Sequence, residues 1–150
     1  MRAHDTMDTI NRLQPLYFDP SEQPARQKLV VLLASGPEDG GMRATLALCA
    51  AVTGLCLDQE VEVFLVGDGA YWAYEGRTDG IHRNGFPALG ALVENLVELG
   101  GEISVCSACD QVCGIPSDAG ADHLSRRREI RPRGMAAVLA DLRLGSSVTF

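Results

Sequence analysis

Lys28-Leu-Val-Val-Leu-Leu-Ala is a continuous apolar run bounded by polar and turn residues. Such a run fits a strand buried on both faces, as parallel sheets require. Ser35-Gly-Pro-Glu-Asp-Gly-Gly reads as a loop, and Arg43–Leu57 then carries Leu46, Ala47, Ala50, Ala51 and Gly54 at helical spacing. Glu60-Val-Glu-Val-Phe-Leu-Val is a second strand. Strand, returning helix and strand make one β-α-β unit, whose crossover is almost always right-handed.

The rest of the chain extends this pattern. Gly67-Asp-Gly-Ala-Tyr-Trp-Ala-Tyr leaves the second strand as a short helix or turn, and Glu75–Phe86 is a polar, glycine-bearing loop. Pro87 suits a first helical turn, Leu89, Leu92, Val93, Leu96 and Leu99 share one face, and Gly100-Gly101 stops the helix. Glu102–Val105 is a third strand, Pro132–Leu144 is helical through Met135, Val138, Leu139 and Leu142, and Ser146–Phe150 is a short closing strand. Residues 1–27, broken by Pro15, Pro20 and Pro24, form an N-terminal arm expected to be disordered or packed on a neighbouring subunit. Residues 28–150 are expected to form a three-layer α/β sandwich with a mostly parallel, four- to five-stranded sheet and helices on both faces.

Composition narrows the function classes. A net charge of −7, from 13 basic and 20 acidic residues, argues against a nonspecific nucleic-acid binder. No apolar run approaches the roughly 18 residues of a membrane span, and Met1-Arg-Ala-His-Asp-Thr shows no secretory apolar core. The positive charge is uneven: Arg126, Arg127, Arg128, Arg131 and Arg133 crowd one segment. They form either a solvated loop or an oxyanion-binding surface beside the thiols described next, for ligands such as thiosulfate or sulfite.

Those thiols lie in Cys106–Gly114, which reads Cys-Ser-Ala-Cys-Asp-Gln-Val-Cys-Gly and holds three of the five cysteines. The stretch follows the third strand directly, so Cys106, Cys109 and Cys113 sit at the carboxyl edge of the sheet, where open α/β folds bind ligands. A thiol there, lowered in pKa by a helix N-terminus or by nearby arginines, supplies a thiolate nucleophile. Cys49 and Cys56, seven apart on one helix face, read as inert core. His82 and His123 could approach the thiols as acid/base partners or metal ligands. The Ser35–Gly41 loop lacks both the Gly-x-Gly-x-x-Gly and the Walker patterns, which favours a tight β-α turn over an anion cradle. Tyr71, Trp72, Tyr74 and Phe86 lie outside the clear strands and read as aromatics in need of an oligomer interface.

Four stretches resemble the DsrE/DsrF-like family of small sulfur-relay proteins. They are Ser35-Gly-Pro-Glu-Asp with Arg43-Ala-Thr-Leu-Ala-Leu, Val61–Ala70, Val105-Cys-Ser-Ala-Cys with Gly114, and Val148-Thr-Phe. The resemblance implies that Cys106 accepts sulfane sulfur as a persulfide and that Cys109 matches the second cysteine of members that have one. Cys113 stands where many members carry an arginine. It also implies assembly as a homo-oligomer, a trimer or hexamer. The reading is therefore a cytoplasmic sulfur carrier or sulfurtransferase-like protein, needing no cofactor. Its partners would be sulfur donor and acceptor proteins or small sulfane-sulfur compounds, with neither nucleic acid nor membrane. The alternative is a thiolate metal-binding or redox-sensing module built on Cys106, Cys109 and Cys113, for which zinc would want a fourth ligand.

Overall fold

The apolar run at residue 28 becomes a strand with neighbours on both sides, which is why it carries no polar face. The computed structural model describes residues 26–112 and 125–150. Among these, five strands form one all-parallel sheet: β1 (Lys28–Leu33), β2 (Glu60–Leu65), β3 (Glu102–Cys106), β4 (Ile130–Arg133) and β5 (Gly145–Thr149). The order is β4-β3-β2-β1-β5, so winding reverses between β1 and β5. Helices α1 (Met42–Cys56), α2 (Leu89–Glu98), α3 (Ser107–Val112) and α4 (Met135–Asp141) connect them.

Alternation along the strands divides the core in two. Val31 and Leu33, Val61, Val63 and Leu65, and Ile103 and Val105 face α1 and α2. Val30, Phe64 and Cys106 face the other way, against Val138 of α4 with Leu32, Val66 and Leu142 around them. A side chain as fully buried as Phe64 stabilises the fold by about 1.5–3 kcal/mol. The three-layer, mostly parallel architecture expected from sequence is therefore present, with every strand pair parallel.

Several boundaries differ from expectation, among them the helix expected from Pro87, which begins at Leu89 after an Ala88 cap. The helix expected from Pro132 begins at Met135, and Ile130–Arg133 inside the arginine run is a strand. Ile130 and Pro132 pair in register with Ile103 and Val105. The edge position explains how Pro132, with no N–H to donate, is tolerated. The helix before Gly100 ends at Glu98, so Leu99 leaves the apolar face and is 53% exposed. Gly101 N–H bonds back to the Leu96 carbonyl at 2.8 Å, and Gly100 adopts φ +85° to make that turn.

The glycine turn after β2 is a close-approach site. Gly69 N–H donates to the Ala34 carbonyl at 3.2 Å, and the Trp72 indole donates to the Ser35 carbonyl at 2.8 Å. A Cβ on Gly69 would lie 1.9 Å from the Leu33 carbonyl oxygen, which is backbone and cannot swing aside. Gly69→Ala is expected to destabilise at or beyond the top of the about 1–3 kcal/mol usual for overpacking. Urea unfolding checks this, and a cost below half a kilocalorie per mole would contradict the close approach.

Candidate active site

The end of β3 places Cys106. The residue pairs in register with Arg133 of β4 and lies on the same sheet face as Ser104. It is 6% exposed. The chain turns at once into α3, so the next residues fold back over the Cys106 sulfur. Burial pushes the thiol up, but the Cys109 amide, the Cys109 thiol and the Ala108 amide together outweigh it and hold the pKa below its ordinary value. Cys109 is half-buried and packs against both apolar clusters. The strand end therefore offers a thiol whose ionised form is favoured by hydrogen bonds, with a second sulfur three residues on.

Asp110 follows Cys109 on α3 and is held from two sides. The Tyr74 hydroxyl donates to Asp110 Oδ1 at 2.7 Å, and Arg126 Nη1 donates to Oδ2 at 3.0 Å. Tyr74 and Arg126 themselves form an antiparallel bridge, flanked by Glu75 N–H to the Ser125 carbonyl and Arg127 N–H to the Ala73 carbonyl, both at 2.9 Å. Burial, followed by the Asp110 bond and charge, pushes the Tyr74 phenol up to about 12, so it remains a donor across the physiological range.

Beneath Cys106 runs a buried ionic network. Glu62, with a side chain 1% exposed, accepts from Ser104 Oγ and from Arg133 Nη1 on both oxygens, and meets Lys28 Nζ at 3.1 Å. Asp141 of α4 takes Lys28 at 2.6 Å and Arg133 at 3.0 Å. Burial pushes the Glu62 carboxyl up, but the bonds from Ser104, Arg133 and Lys28 bring it below its usual range.

The other residues singled out from sequence fall as follows. Cys113 and His123 lie outside the described residues. His82 contacts the Phe86 carbonyl at 2.9 Å within its own loop, and the open cleft it lines is formed with Met42, Arg83 and Asn84. Cys49 packs against the core and burial pushes its thiol up, but Cys56, at the helix end beyond that packing, is exposed. The Ser35–Gly41 loop is a β-α turn filled by its own acid. Asp39 accepts from the amides of Gly41, Met42 and Arg43 at 3.0, 3.1 and 2.9 Å, occupying the space an anion would use.

Most of the arginines bond acids of this chain: Arg126 to Asp110, Arg127 to Glu129, Arg131 to Glu102, and Arg133 to Glu62 and Asp141. That pairing weakens the expectation that they bind oxyanions. Trp72 and Tyr74 are buried in the chain's own core, and Tyr71 carries the Arg77 guanidinium over its ring at 4.4 Å. These three are covered without a second subunit. Among the described residues, no group of three or more His, Cys, Asp or Glu side chains could hold a metal ion. Among the same residues, no helix is long and apolar enough to cross a membrane.

A model of the DsrE/DsrF-like family matches residues 27–142. The chain belongs to the DsrE/DsrF-like family. Membership points, at the level of the family, to sulfur relay. A protein of Methanopyrus kandleri described as uncharacterized is 29% identical over 90 residues, spanning 60% of this chain and 70% of its own length. Among solved structures, the YchN protein of E. coli superposes with a TM-score of 0.63 at 16% identity, over 83% of this chain and 99% of its own. A conserved protein of unknown function from Bacteroides thetaiotaomicron gives 0.53 at 14% identity, over 83% and 95%. At these identities the two structures speak to the fold alone, the same DsrE-like sheet whose β3 ends here in Cys106.

Proposed function

We propose that this protein is a sulfur carrier, sulfurtransferase-like in chemistry, which takes sulfane sulfur onto Cys106 as a persulfide and passes it to an acceptor thiol. The observation that supports this most is the Cys106 sulfur at the strand end, held toward the thiolate by the Ala108 and Cys109 amides and the Cys109 thiol. In the loading step the thiolate attacks the outer sulfur of a donor R–S–SH. The Cys106 S–S bond forms, the donor S–S bond breaks, and R–S⁻ leaves. The outer sulfur keeps its hydrogen, giving Cys106–S–SH. In delivery an acceptor thiolate repeats the attack and returns Cys106 as thiolate. No cofactor enters either step.

The low exposure of Cys106 fits small sulfane-sulfur donors on the loading side. The persulfide places its outer sulfur about 2 Å further out than the thiol, which favours a protein acceptor on the delivery side. Cys109 has a second role in this proposal. Its thiolate attacks Cys106 Sγ, forming a Cys106–Cys109 disulfide and releasing HS⁻. Cys113, four residues beyond Cys109, belongs to the proposed set of active thiols as a further resolving group. A thiol that cycles this way needs a reducing compartment, so cytoplasmic residence is part of the proposal.

Residues 28–150 are proposed as the working domain, with the family match beginning at residue 27. A homo-oligomer, trimer or hexamer, is proposed as well. Its support is now the exposed Leu139 and Leu144 on and after α4 rather than the aromatics. A solution mass near the 16.0 kDa of one chain would contradict it.

The redox-sensing alternative draws support from the same Cys106–Cys109 contact. Intact-protein mass spectrometry after polysulfide treatment separates the two readings. In Cys109→Ser, which lacks the Cys109 resolving thiol, sulfur carriage gives a gain of about 32 Da per sulfur atom, whereas a sensor that works by the Cys106–Cys109 disulfide gives no change in mass.

The state of the thiol can be checked separately. Alkylation of Cys106 by iodoacetamide, followed at the peptide level against pH, is expected to inflect below the ordinary thiol value of about 8.5. Cys109→Ala removes a donor and is expected to move the inflection up. A parent inflection at or above the ordinary value would contradict the hydrogen-bonded thiolate.

A further inference from the structure

We propose that Tyr74 is a positioning residue for Cys106, acting through Asp110 by fixing helix α3 over the reactive sulfur. This rests on Cys106 being the working thiol, and it adds a residue that neither the sequence pattern nor family membership assigns.

The geometry runs in a short chain. Among the described residues, the groups that hold the Cys106 sulfur are on α3, in the two residues Ala108 and Cys109. The helix has six residues, too few to be rigid by itself. Its next residue, Asp110, has both carboxylate oxygens engaged, by Tyr74 at 2.7 Å and Arg126 at 3.0 Å. The Tyr74 hydroxyl also lies 3.4 Å from the Asp110 main-chain carbonyl. Tyr74 can serve as a fixed post because it is 5% exposed, sits in the larger apolar core, and is tied through its backbone bridge to Arg126. A displacement of α3 by a fraction of an ångström lengthens the hydrogen bonds from Ala108 and Cys109, and hydrogen bonds weaken steeply with such distortion.

Among the described residues, the other charged or titratable groups near Cys106 have partners of their own. Cys109 is part of the hydrogen-bonded set. Arg133, its register partner on β4, turns its guanidinium to Glu62 and Asp141. Among the described residues, Glu62 on the same sheet face is engaged by Ser104, Arg133 and Lys28, and the apolar residues clustered with Cys106 are Val30, Phe64, Val138, Leu32, Val66 and Leu142.

Tyr74→Phe is the informative substitution because it removes only a hydroxyl and changes no charge. The readout is the pH profile of Cys106 alkylation, mapped to its peptide by mass spectrometry, in the full chain. Tyr74→Phe is expected to move the inflection toward ordinary thiol values. The rate at neutral pH should fall roughly three- to tenfold, the equivalent of about one net hydrogen bond. In an Asp110→Ala background the same substitution is expected to add nothing, because the link is already cut. An unshifted profile in a Tyr74→Phe protein that melts cooperatively overturns the proposal. So does an equal shift in both backgrounds, which would mean that Tyr74 acts by another route. The alkylation profile needs no sulfur donor. A protein that shows the Tyr74 effect yet never carries sulfur would leave the positioning intact and refute sulfur carriage instead.

Discussion

Glu62→Gln is expected to cost about 3–5 kcal/mol of folding stability, the range for removing one partner of a buried ion pair. Glu62 is the acid at the centre of the network, 1% exposed, and Arg133 and Lys28 beside it are only 22% and 18% exposed. Neutralising it strands two half-buried cations with Asp141 as their remaining acid.

The pH dependence follows from the direction of each shift. Glu62 is held below its usual carboxylate range in the folded state. Its contribution is therefore complete above the unfolded value near 4.5 and is lost as pH falls through the lower folded value. Asp141, lowered by Lys28 and then Arg133, has the same sign. Lys28 is opposed by burial but raised overall by Asp141 and Glu62, so its share persists until pH rises through its folded value, above 10.5. Denaturant curves for parent and Glu62→Gln should thus differ most near neutrality and converge in acid. A difference under about 1 kcal/mol at pH 7, typical of an exposed pair, would show that the network does not hold β1, β2, β4 and α4 together.

Cys106→Ser is expected to abolish sulfur loading altogether, whereas Cys109→Ser should still load. The asymmetry comes from position. Cys106 ends a strand paired on both edges, so its sulfur is preorganised for attack. Cys109 is the group that donates to it. Serine at 106 offers a hydroxyl that is not ionised at neutral pH and cannot hold a sulfane sulfur. Serine at 109 keeps a donor but loses the resolving thiol, so the persulfide on Cys106 should live longer and less sulfide should be released. Equal uptake by Cys106→Ser and the parent, with loss of uptake in Cys109→Ser, would reverse the assignment.

The legible parts of this fold are those where local pattern and final environment agree. The β1 run, the helix before Cys56 and the strand from Glu60 could be read because apolar periodicity reports burial directly. Ile130–Arg133 could not. Its two arginines and its proline look like loop chemistry, and only the register with Ile103 and Val105 makes them a strand. Glu62 was equally opaque. In Glu-Val-Glu-Val the second glutamate looks like the solvent side of an alternating strand. It is buried because Arg133, more than seventy residues away, comes to meet it.

At the site, spacing alone brought out Cys106 and Cys109, since a Cys-x-x-Cys after a strand is a local pattern. Asp110 and Tyr74 carry no such signal. Asp110 is one more acid beside a cysteine, and Tyr74 reads as an aromatic seeking a partner. Their pairing depends on a tertiary contact spanning 36 residues. The arginine run is hard to read for a related reason, because charge density in sequence cannot show which acids of the chain pair most of it.

The position of the transferred sulfur tests the central claim most directly. Reduced protein is treated with polysulfide, trapped with an alkylating agent, digested, and sequenced by tandem mass spectrometry. The expected result is an added sulfur of about 32 Da lying between Cys106 Sγ and the alkyl group, with Cys109 alkylated directly in the same molecules; molecules that have resolved carry the Cys106–Cys109 disulfide and no added sulfur. Sulfur found on Cys109 or Cys56 while Cys106 is alkylated directly, or no added sulfur at any cysteine of a Cys109→Ser protein treated in the same way, would contradict the assignment of Cys106 as the carrier.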